Sequence, residues 1–333
     1  MTSEVYLENK VMSNMKKKTT HKKLTVAKER KYDEFYTQLS DIEKELQHYK
    51  EHLKGKVVFL NCDDPEESNF WKYFALNFKF LGLKKLIATH YGNGKPSYKL
   101  EKNNGDTIKT CLKQNGDFRS PECIEILKEA DIVVTNPPFS LLREYIAQLM
   151  EYHKKFIIIG SINALSYKEI FKLFRENKMW LGYSIHSGER EFRVPNDYPF
   201  DTLGYRVDEN GIKYIKKGVR WFTNLDYKER HENLVLYKNY TPDEYPKYDN
   251  YDAIEVSKTK EIPINYKGLI GVPLTFMDKY NPDQFEILGM ISSAGYDKEV
   301  VGIPFIGEKD ARPLINGKNT YARIIIRNKN LEL

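Results

Sequence analysis

The chain has 333 residues, 41% of them hydrophobic, which is enough to bury the core of one large or two modest domains. Its three cysteines form no C-x-x-C pair and have no neighbouring histidine pattern, so the sequence indicates neither a zinc site nor a disulfide framework. It contains no apolar run of about 18 residues and no apolar secretory region near its start. We therefore expect a soluble, cytoplasmic protein without membrane contact or bound metal.

The charge balance is basic and the chain is rich in aromatic residues. The net charge is +6, and there are 24 tyrosines and 17 phenylalanines. A surface with these properties suits a polyanion that also offers stacking groups, such as a nucleic acid. An AT-rich genome would give a similar composition through codon usage alone, so composition permits a nucleic-acid partner without establishing one.

The first residues divide into a basic arm and a helical pattern. Residues 10 to 31 carry nine lysines or arginines against one acidic residue, which predicts a mobile arm that contacts phosphates or is simply a solvated tail. Apolar residues then recur in steps of three and four from Tyr32 to Leu53, the pattern of a long amphipathic helix. Gly55 is expected to end this helix.

The next hundred residues alternate between short apolar runs and helical patterns. This alternation predicts an α/β fold with a doubly wound parallel sheet, in which ligands bind at the carboxyl ends of the strands. The predicted elements are strand Lys56–Asn61, helix Ser68–Leu81, strand Lys85–Tyr91, hairpin Tyr98–Cys111, helix Pro121–Ala130, strand Asp131–Thr135, helix Leu141–Tyr152 and strand Lys155–Gly160.

The pattern changes after residue 160 to aromatic, lysine-rich segments. Gly218–Phe222 and Asn233–Tyr237 are predicted strands that could form an antiparallel hairpin closing the sheet. From Tyr240 the chain is rich in Pro, Tyr, Asn and Asp, which predicts a loop-rich recognition segment ending in the strand Tyr321–Arg327.

The sequence Asn136-Pro137-Pro138-Phe139 follows a predicted buried strand and carries the most chemical information. The lone pair of an amino group on a base is delocalised into the ring. Acceptors at the Asn136 side chain and the Pro137 carbonyl could bind both amino hydrogens and free that lone pair. The prolines would hold the loop rigid, and Phe139 could stack on an extruded base. A purely structural Pro-Pro turn is the alternative.

Polar residues at other predicted strand ends are candidates to bind S-adenosyl-L-methionine (SAM). Carboxylates in the Asn61-Cys62-Asp63-Asp64 turn could hold its amino group, although Asp63 or Asp64 could instead cap the following helix. Asp117 and Phe118 could bind the adenine of the cofactor, although Asp117 could equally be a turn residue. The full set of cofactor candidates is Asn61, Asp63, Asp64, His90, Tyr91, Asp117 and Phe118.

Two further groups are candidates to bind the substrate. Trp221 and Phe222 could supply a second aromatic face for a flipped base, although aromatic residues in a strand are more often part of the core. Arg190, Arg193 and Arg220 lie in a basic stretch suited to phosphates, with an ordinary solvated face as the alternative.

A series of motifs in one order resembles the EcoRI-type adenine-specific DNA methyltransferase family over most of the chain after residue 55. The motifs are NCDDPEESNFWKYF (61–74), GDFRSPECIEIL (116–127), DIVVTNPPFSLLREY (131–145), GSINALSYKE (160–169), GVRWFTNLD (218–226) and GVPLTFMDKYNPDQFEILGM (271–290). The resemblance implies a SAM-dependent methyltransferase (Rossmann-like) fold, SAM as cofactor and a catalytic loop at Asn136–Phe139. It also implies that the acidic turn at Asp63–Asp64 and Asp117 lie in the cofactor segments.

The chain departs from the wider methyltransferase class in two places. The glycine-rich loop expected after the first strand is replaced by NCDDP, and the second strand lacks its terminal acidic residue. Both features look shared with the EcoRI type, and they leave the SAM contacts less defined than Asn136.

The expected function is methyl transfer from SAM to the 6-amino group of an adenine flipped out of double-stranded DNA. The expected parts are a basic arm and helix at 1–54, a methyltransferase domain at 55–240 and a DNA target-recognition region at 241–333. The resemblance implies either an orphan enzyme or the modification enzyme of a restriction-modification system, whose endonuclease would act on the same site without direct contact. We expect a monomer. The alternatives are an RNA or protein-glutamine methyltransferase and a non-catalytic DNA-binding protein of the same fold.

Overall fold

The structure is a computed structural model that describes residues 35–62, 64–92, 96–196, 198, 205–292, 298–306 and 312–331. The basic arm predicted at 10–31 and the cofactor candidate Asp63 lie outside these ranges. The strands are β1 (Val57–Leu60), β2 (Lys85–Thr89), β3 (Tyr98–Lys102), β4 (Thr107–Cys111), β5 (Ile132–Thr135), β6 (Lys155–Ser161), β7 (Trp180–Leu181), β8 (Arg190–Arg193), β9 (Tyr205–Val207), β10 (Lys213–Lys217), β11 (Val219–Thr223), β12 (Ala253–Glu255), β13 (Leu269–Val272), β14 (Phe285–Ile291), β15 (Leu314–Ile315), β16 (Lys318–Asn319) and β17 (Arg323–Asn328).

The helices lie between and beside these strands. The α-helices are α1 (Leu39–Leu46), α2 (Lys50–Leu53), α3 (Asn69–Leu76), α4 (Pro121–Glu129), α5 (Leu142–Glu151), α6 (Lys168–Arg175) and α7 (Lys298–Val301). The short 3-10 helices are Gln47–Tyr49, Phe139–Leu141, Ile162–Ser166, Lys228–His231, Thr259–Glu261, Leu274–Lys279 and Lys329–Leu331. None of the helices in the described part of the chain has the length and apolarity needed to span a bilayer.

The main sheet has the order β4-β3-β2-β1-β5-β6-β11-β7. Its four central strands, β2, β1, β5 and β6, are parallel to one another. The hairpin β3-β4 extends one side in antiparallel fashion, and β11 with β7 extends the other. The mixed α/β sheet with a parallel centre confirms the predicted fold class.

The central strands are apolar in their middle residues because both faces of the sheet are covered. All four residues of β1 and of β5 are buried. Alternate residues point to opposite faces, so Phe59 and Val133 join one core while Val58 and Val134 join the other. The loops at the carboxyl ends of these strands therefore start from a rigid frame.

The beginning of the helix predicted from Tyr32 lies outside the described residues, and the prediction is wrong at Phe35 and Tyr36. Within the described residues, helical structure begins only at Leu39, and Tyr36 is extended, forming an antiparallel bridge with Arg193. Phe35 fits the helical spacing because it is buried, as residues on the inner face of a helix are. Its ring packs against Phe139 and against Phe192 of β8. The predicted end is confirmed, since Gly55 follows the helix with a φ of 73°.

The predicted strand Asn233–Tyr237 is also wrong, because this segment is irregular and Val235 is 80% exposed. Its backbone is held by Gln284, whose side chain bonds to both the N–H and the carbonyl of Leu234. The antiparallel partner of β11 at the sheet edge is β7 instead.

The remaining strands form three smaller sheets. The order β8-β10-β9 makes a three-stranded antiparallel sheet, β12-β13-β17-β14 makes a mixed four-stranded sheet, and β15 pairs with β16. The predicted strand Tyr321–Arg327 corresponds to β17 in the four-stranded sheet. Ile254 and Ile270 of that sheet belong to the same apolar cluster as Phe59 and Val133, so the two sheets share a core.

Candidate functional site

The carboxyl ends of the central parallel strands lie along one edge of the main sheet. Asn61 follows β1, His90 follows β2, Asn136 follows β5 and Ser161 ends β6. Three of these four positions are candidates from the sequence, and the topology brings them to the same edge.

Asn136 is 5% exposed, and only one end of its side-chain amide has a hydrogen-bond partner among the described residues. Nδ2 donates a hydrogen bond to the carbonyl oxygen of Phe35. Oδ1 is buried and has no hydrogen-bond partner among the described residues. A buried acceptor without a partner costs about 1–3 kcal/mol, so such an atom in a loop at a strand end is typical of a site that binds a donor.

The two prolines give the Asn136–Phe139 loop its shape. Pro138 has φ −55° and ψ 124°, and its carbonyl accepts from the N–H of Leu141 at 2.9 Å, which starts the short helix leading into α5. Pro137 is buried, whereas Phe139 is half-buried. The Phe139 ring therefore lies at the boundary between the core and the open edge of the sheet.

Aromatic rings that the sequence did not single out surround Phe139. Its ring centroid lies 5.2 Å from that of Phe35 and 6.5 Å from that of Phe192. Phe35 in turn lies 6.4 Å from Tyr198. Periodicity assigned Phe35 to a helix face, and Phe192 lies in a basic segment, so no local signal pointed to this cluster.

A buried hydroxyl lies in the segment that connects the Asn136–Phe139 loop with α3. Thr37 is 2% exposed, and its Oγ1 has no hydrogen-bond partner among the described residues. The Thr37 carbonyl accepts from Asn69 at the start of α3, at 2.8 Å. Two residues earlier, Phe35 contacts Asn136. Thr37 is thus a polar residue near the candidate site that sequence reasoning missed.

The acidic turn after β1 contacts the end of β2. Asp64 Oδ1 accepts from the Tyr98 hydroxyl at 2.9 Å and from the Glu66 N–H at 3.0 Å, and its Oδ2 lies 3.6 Å from His90 Nε2. The His90 and Tyr98 rings are stacked at 4.8 Å. Ser68, and not Asp64, caps α3, so Asp64 shapes the turn rather than the helix end.

The two remaining β1 and β2 candidates are close to the core. Asn61 is 3% exposed, and its Oδ1 accepts a hydrogen bond from the hydroxyl of Tyr145 in α5. Tyr91 follows His90 and is half-buried. Asn61 therefore ties the end of β1 to the helix that follows the catalytic loop.

The Gly116-Asp117-Phe118 loop is pressed against the end of β2. Gly116 has a φ of +74°, and a Cβ atom there would lie 2.1 Å from the His90 carbonyl oxygen, so only glycine fits. This close approach brings Asp117 and Phe118 to the same edge of the sheet as His90. The structure thus gathers the cofactor candidates that it describes around the ends of β1 and β2.

Asp117 is ionised and already has a partner. Arg119 donates to both carboxylate oxygens, at 2.8 Å and 2.7 Å, and its backbone N–H donates at 2.9 Å. Hydrogen bonding from the Arg119 side chain holds the pKa of Asp117 below its usual value. Phe118 is 5% exposed and meets the Tyr145 ring edge-on at 5.0 Å.

Three substrate candidates are corrected by the structure. Trp221 and Phe222 are 0% exposed and lie in opposite core clusters, so neither presents a face to a base. Arg220 is buried and forms a two-point ion pair with Asp278, at 2.6 Å and 3.0 Å, which leaves it unavailable to phosphates. All three lie on β11, which is an interior strand of the sheet and not a surface hairpin.

The other two arginines remain at the surface beside the aromatic cluster. Arg193 pairs with Glu67, and its guanidinium lies over the Tyr36 ring at 4.9 Å. Arg190 lies 3.8 Å from Asp41, and about a third of its side chain (31%) is exposed. The bridge between Tyr36 and Arg193 places the β8-β10-β9 sheet next to the Asn136–Phe139 loop, because Phe35 contacts Asn136.

Comparisons with known proteins agree with this geometry. Residues 23–329 match the family described as adenine-specific methyltransferase EcoRI. The chain is 48% identical to the type II methyltransferase M.EcoRI of Escherichia coli, over 96% of this chain and 100% of that protein. It is 40% identical to M.MgeORF184P of Mycoplasma genitalium, over 92% and 98%, and 38% identical to M.MpnI of Mycoplasma pneumoniae, over 91% and 97%. Both are also named type II methyltransferases.

The match covers nearly the whole chain, and it includes the loop that ends β5 with a buried asparagine and two prolines. The resemblance inferred from the motifs is confirmed: the chain belongs to the EcoRI family of adenine-specific methyltransferases.

Proposed function

We propose that this protein transfers a methyl group from SAM to the exocyclic 6-amino group of an adenine that is flipped out of duplex DNA. The observation that carries the proposal is the buried Asn136 Oδ1, which has no hydrogen-bond partner among the described residues and precedes Pro137, Pro138 and Phe139. The names of the relatives support it, because they are type II methyltransferases in an adenine-specific family.

The catalytic loop supplies acceptors to a poor nucleophile. Asn136 Oδ1 and the Pro137 carbonyl would each accept one amino hydrogen, which favours a pyramidal nitrogen with a free lone pair. Phe139 would stack on the extruded base. Bound SAM would supply an electrophilic methyl group on a positively charged sulfur. The amino nitrogen would attack this carbon in line, and the S–C bond would break as the N–C bond forms, which leaves a neutral thioether. The surplus proton on the methylated nitrogen then leaves to solvent.

The polar groups at the carboxyl edge fit a cofactor with a cationic amino group and an adenine ring. The buried Thr37 hydroxyl lacks a partner among the described residues, and the Asp117 carboxylate is ionised, so both can bind donors. A carboxylate engaged by Arg119 still has acceptor capacity, because each oxygen carries two lone pairs. The proposed cofactor residues are Asn61, Asp64, His90, Tyr91, Asp117 and Phe118, together with Asp63, which lies outside the described residues.

The surface around the catalytic loop is suited to DNA. Arg190 and Arg193 are partly exposed beside the aromatic cluster and would contact phosphates, which position a duplex without reading its sequence. We assign the reading of bases to the region 241–333. Its four-stranded sheet shares a core with the main sheet, so a bound site would be held in fixed relation to the loop.

In its biological setting, the protein would act as a monomer that protects DNA sites. It would serve either as the modification enzyme of a restriction-modification system or as an orphan enzyme. A cognate endonuclease would recognise the same site without contacting this protein.

The proposal is tested by methyl transfer from labelled SAM to three acceptors: duplex DNA, RNA and a mixture of proteins. We expect label in the DNA alone, transferred about 10²- to 10³-fold more slowly by the Asn136→Ala variant although that variant still binds DNA. Label in RNA or protein but not in DNA would overturn the choice of substrate. Full activity of Asn136→Ala would overturn the role of Asn136.

A further inference from the structure

The catalytic loop depends on a segment that lies about a hundred residues earlier in the chain, since the Asn136 Nδ2 atom donates to the carbonyl of Phe35. The two residues after Phe35 are fixed by other parts of the fold. The Tyr36 N–H donates to the Arg193 carbonyl at 2.9 Å, and the Thr37 carbonyl accepts from Asn69 at 2.8 Å. The Phe35 carbonyl is therefore held in place by β8 on one side and α3 on the other.

The contact decides which end of the Asn136 amide remains without a hydrogen-bond partner. A primary amide has a donor group at one end and an acceptor at the other. With Nδ2 directed at the Phe35 carbonyl, Oδ1 necessarily points away from it. The reversed amide would place two acceptor oxygens against each other and would be unfavourable. The Phe35 carbonyl thus selects the orientation in which Oδ1 is the unpartnered acceptor.

The Phe35 side chain anchors this carbonyl. The residue is 4% exposed, and its ring packs against Phe139 at 5.2 Å, Phe192 at 6.0 Å and Tyr198 at 6.4 Å. Phe35 therefore contacts both functional side chains of the loop. Its backbone carbonyl contacts Asn136, and its ring contacts Phe139. Loss of the ring would free both at once.

We propose that Phe35 is a positioning residue for the methyl-transfer reaction: its carbonyl orients the Asn136 amide so that Oδ1 faces the target amino group, and its ring holds that carbonyl in place. The inference rests on the proposed function of Asn136. Phe35 does not touch the reacting atoms and acts only through Asn136 and Phe139. A poorly placed acceptor slows the chemical step more than it weakens binding, because the acceptor is needed most in the transition state.

The first test compares Phe35→Leu with Phe78→Leu in the full-length protein. Phe78 is a matched control, since it is 2% exposed in the same core cluster but follows α3, near the start of β2 and so at the opposite edge of the sheet. We expect Phe35→Leu to lower the single-turnover rate of methyl transfer by about 10- to 100-fold. The dissociation constants for SAM and duplex DNA should change less than about threefold. Phe78→Leu should lower stability without changing the rate.

The second test asks whether the effect passes through the amide. Asn136→Asp keeps an oxygen acceptor but lacks the Nδ2 donor, so the Phe35 carbonyl has nothing to orient in that background. With enzyme in excess and a labelled methyl group, even slow variants give a measurable rate. We expect Phe35→Leu to slow Asn136→Asp by less than about threefold, much less than it slows the wild type.

The outcomes separate this inference from the proposed function. If the wild type methylates DNA but Phe35→Leu behaves like Phe78→Leu, the positioning role is wrong and the proposed function stands. Equal slowing of both backgrounds by Phe35→Leu would also overturn the role. If the wild type methylates no DNA, the proposed function itself fails, whatever the variants do.

Discussion

Two regions of this molecule differ in how their buried polar side chains are partnered. At the carboxyl edge of the main sheet, Asn136 Oδ1 and Thr37 Oγ1 are buried without a partner among the described residues. At the junction with the four-stranded sheet, buried Arg220 is paired with Asp278 through two hydrogen bonds. The fold satisfies a buried charge where it joins two sheets and leaves acceptors open where a substrate amino group would bind. Trp221 Nε1 and Arg230 Nε are also buried without a partner among the described residues, so it is the position of Asn136 at the carboxyl edge that gives its open acceptor a functional meaning.

The largest expected effect is the loss of the open acceptor. Asn136→Ala should lower the single-turnover rate of methyl transfer by about 10²- to 10³-fold, since it removes an acceptor that acts in the transition state. Affinity for duplex DNA should remain. Asn163→Ala is a matched control, because Asn163 is exposed in the short helix after β6 and should tolerate the change. Similar rates for the two variants would show that the unpartnered Asn136 Oδ1 has no role in methyl transfer.

The next effect is on stability at the junction. Arg220→Leu should lower the free energy of unfolding by about 3–5 kcal/mol, because Asp278 would be left as an unpaired buried charge. Denaturant unfolding would measure it. The control is Arg206→Leu, which breaks the exposed pair with Glu191 and should cost less than about 1 kcal/mol. A stable Arg220→Leu protein whose DNA affinity has become less sensitive to salt would instead indicate a phosphate contact.

A smaller effect is expected at Asp117, which lies beside the end of β2 and which we propose binds the cofactor. Asp117→Asn should weaken SAM binding by about tenfold, because a neutral amide is a poorer acceptor than the ionised carboxylate beside Arg119. Equilibrium binding measured by calorimetry would detect it. Asp106→Asn, an exposed position before β4, should leave SAM affinity unchanged. Equal affinities for the two variants would remove Asp117 from the cofactor site.

The smallest effect is a pH dependence at the junction. His231 lies between Asp283, at 2.5 Å, and Asp226, at 2.8 Å. Hydrogen bonding to Asp283 raises its pKa above 6.5. Because the folded pKa is raised, the stabilisation is complete below the unfolded value of about 6.5 and is lost as pH rises through the folded pKa. It should stay below about 1 kcal/mol, since the site is partly exposed.

His231→Gln removes the titrating group and is the variant for this measurement. Thermal unfolding between pH 6 and pH 8 should show a smaller decline in stability for His231→Gln than for the wild type. A decline of the same size in both proteins would show that His231 does not stabilise the junction.

Sequence reasoning succeeded where the signal was local. The alternation of apolar runs and helices predicted the parallel sheet, and two prolines after a buried strand located the Asn136 loop at its edge. In each case the residue type and its immediate neighbours determine the conformation.

Sequence reasoning failed where contacts between residues far apart in the chain determine the structure. Phe35 continues the helical spacing but belongs to a segment that pairs with β8 and contacts Asn136, which no local pattern reveals. Trp221 and Arg220 could not be assigned because burial of β11 depends on β6 and β7 on its two sides. An arginine in a basic stretch can face solvent or a buried carboxylate, and only the tertiary fold distinguishes them.

The most direct test of the central claim is to incubate the purified protein with SAM and unmethylated genomic DNA and then to map modified bases at single-base resolution. We predict N6-methyladenine at one recurring sequence motif, and a much smaller methylated fraction of the same sites after the same incubation with Asn136→Ala. DNA without modified adenine, from a protein shown separately to bind SAM, would contradict the claim that the open acceptor at Asn136 serves an adenine in DNA.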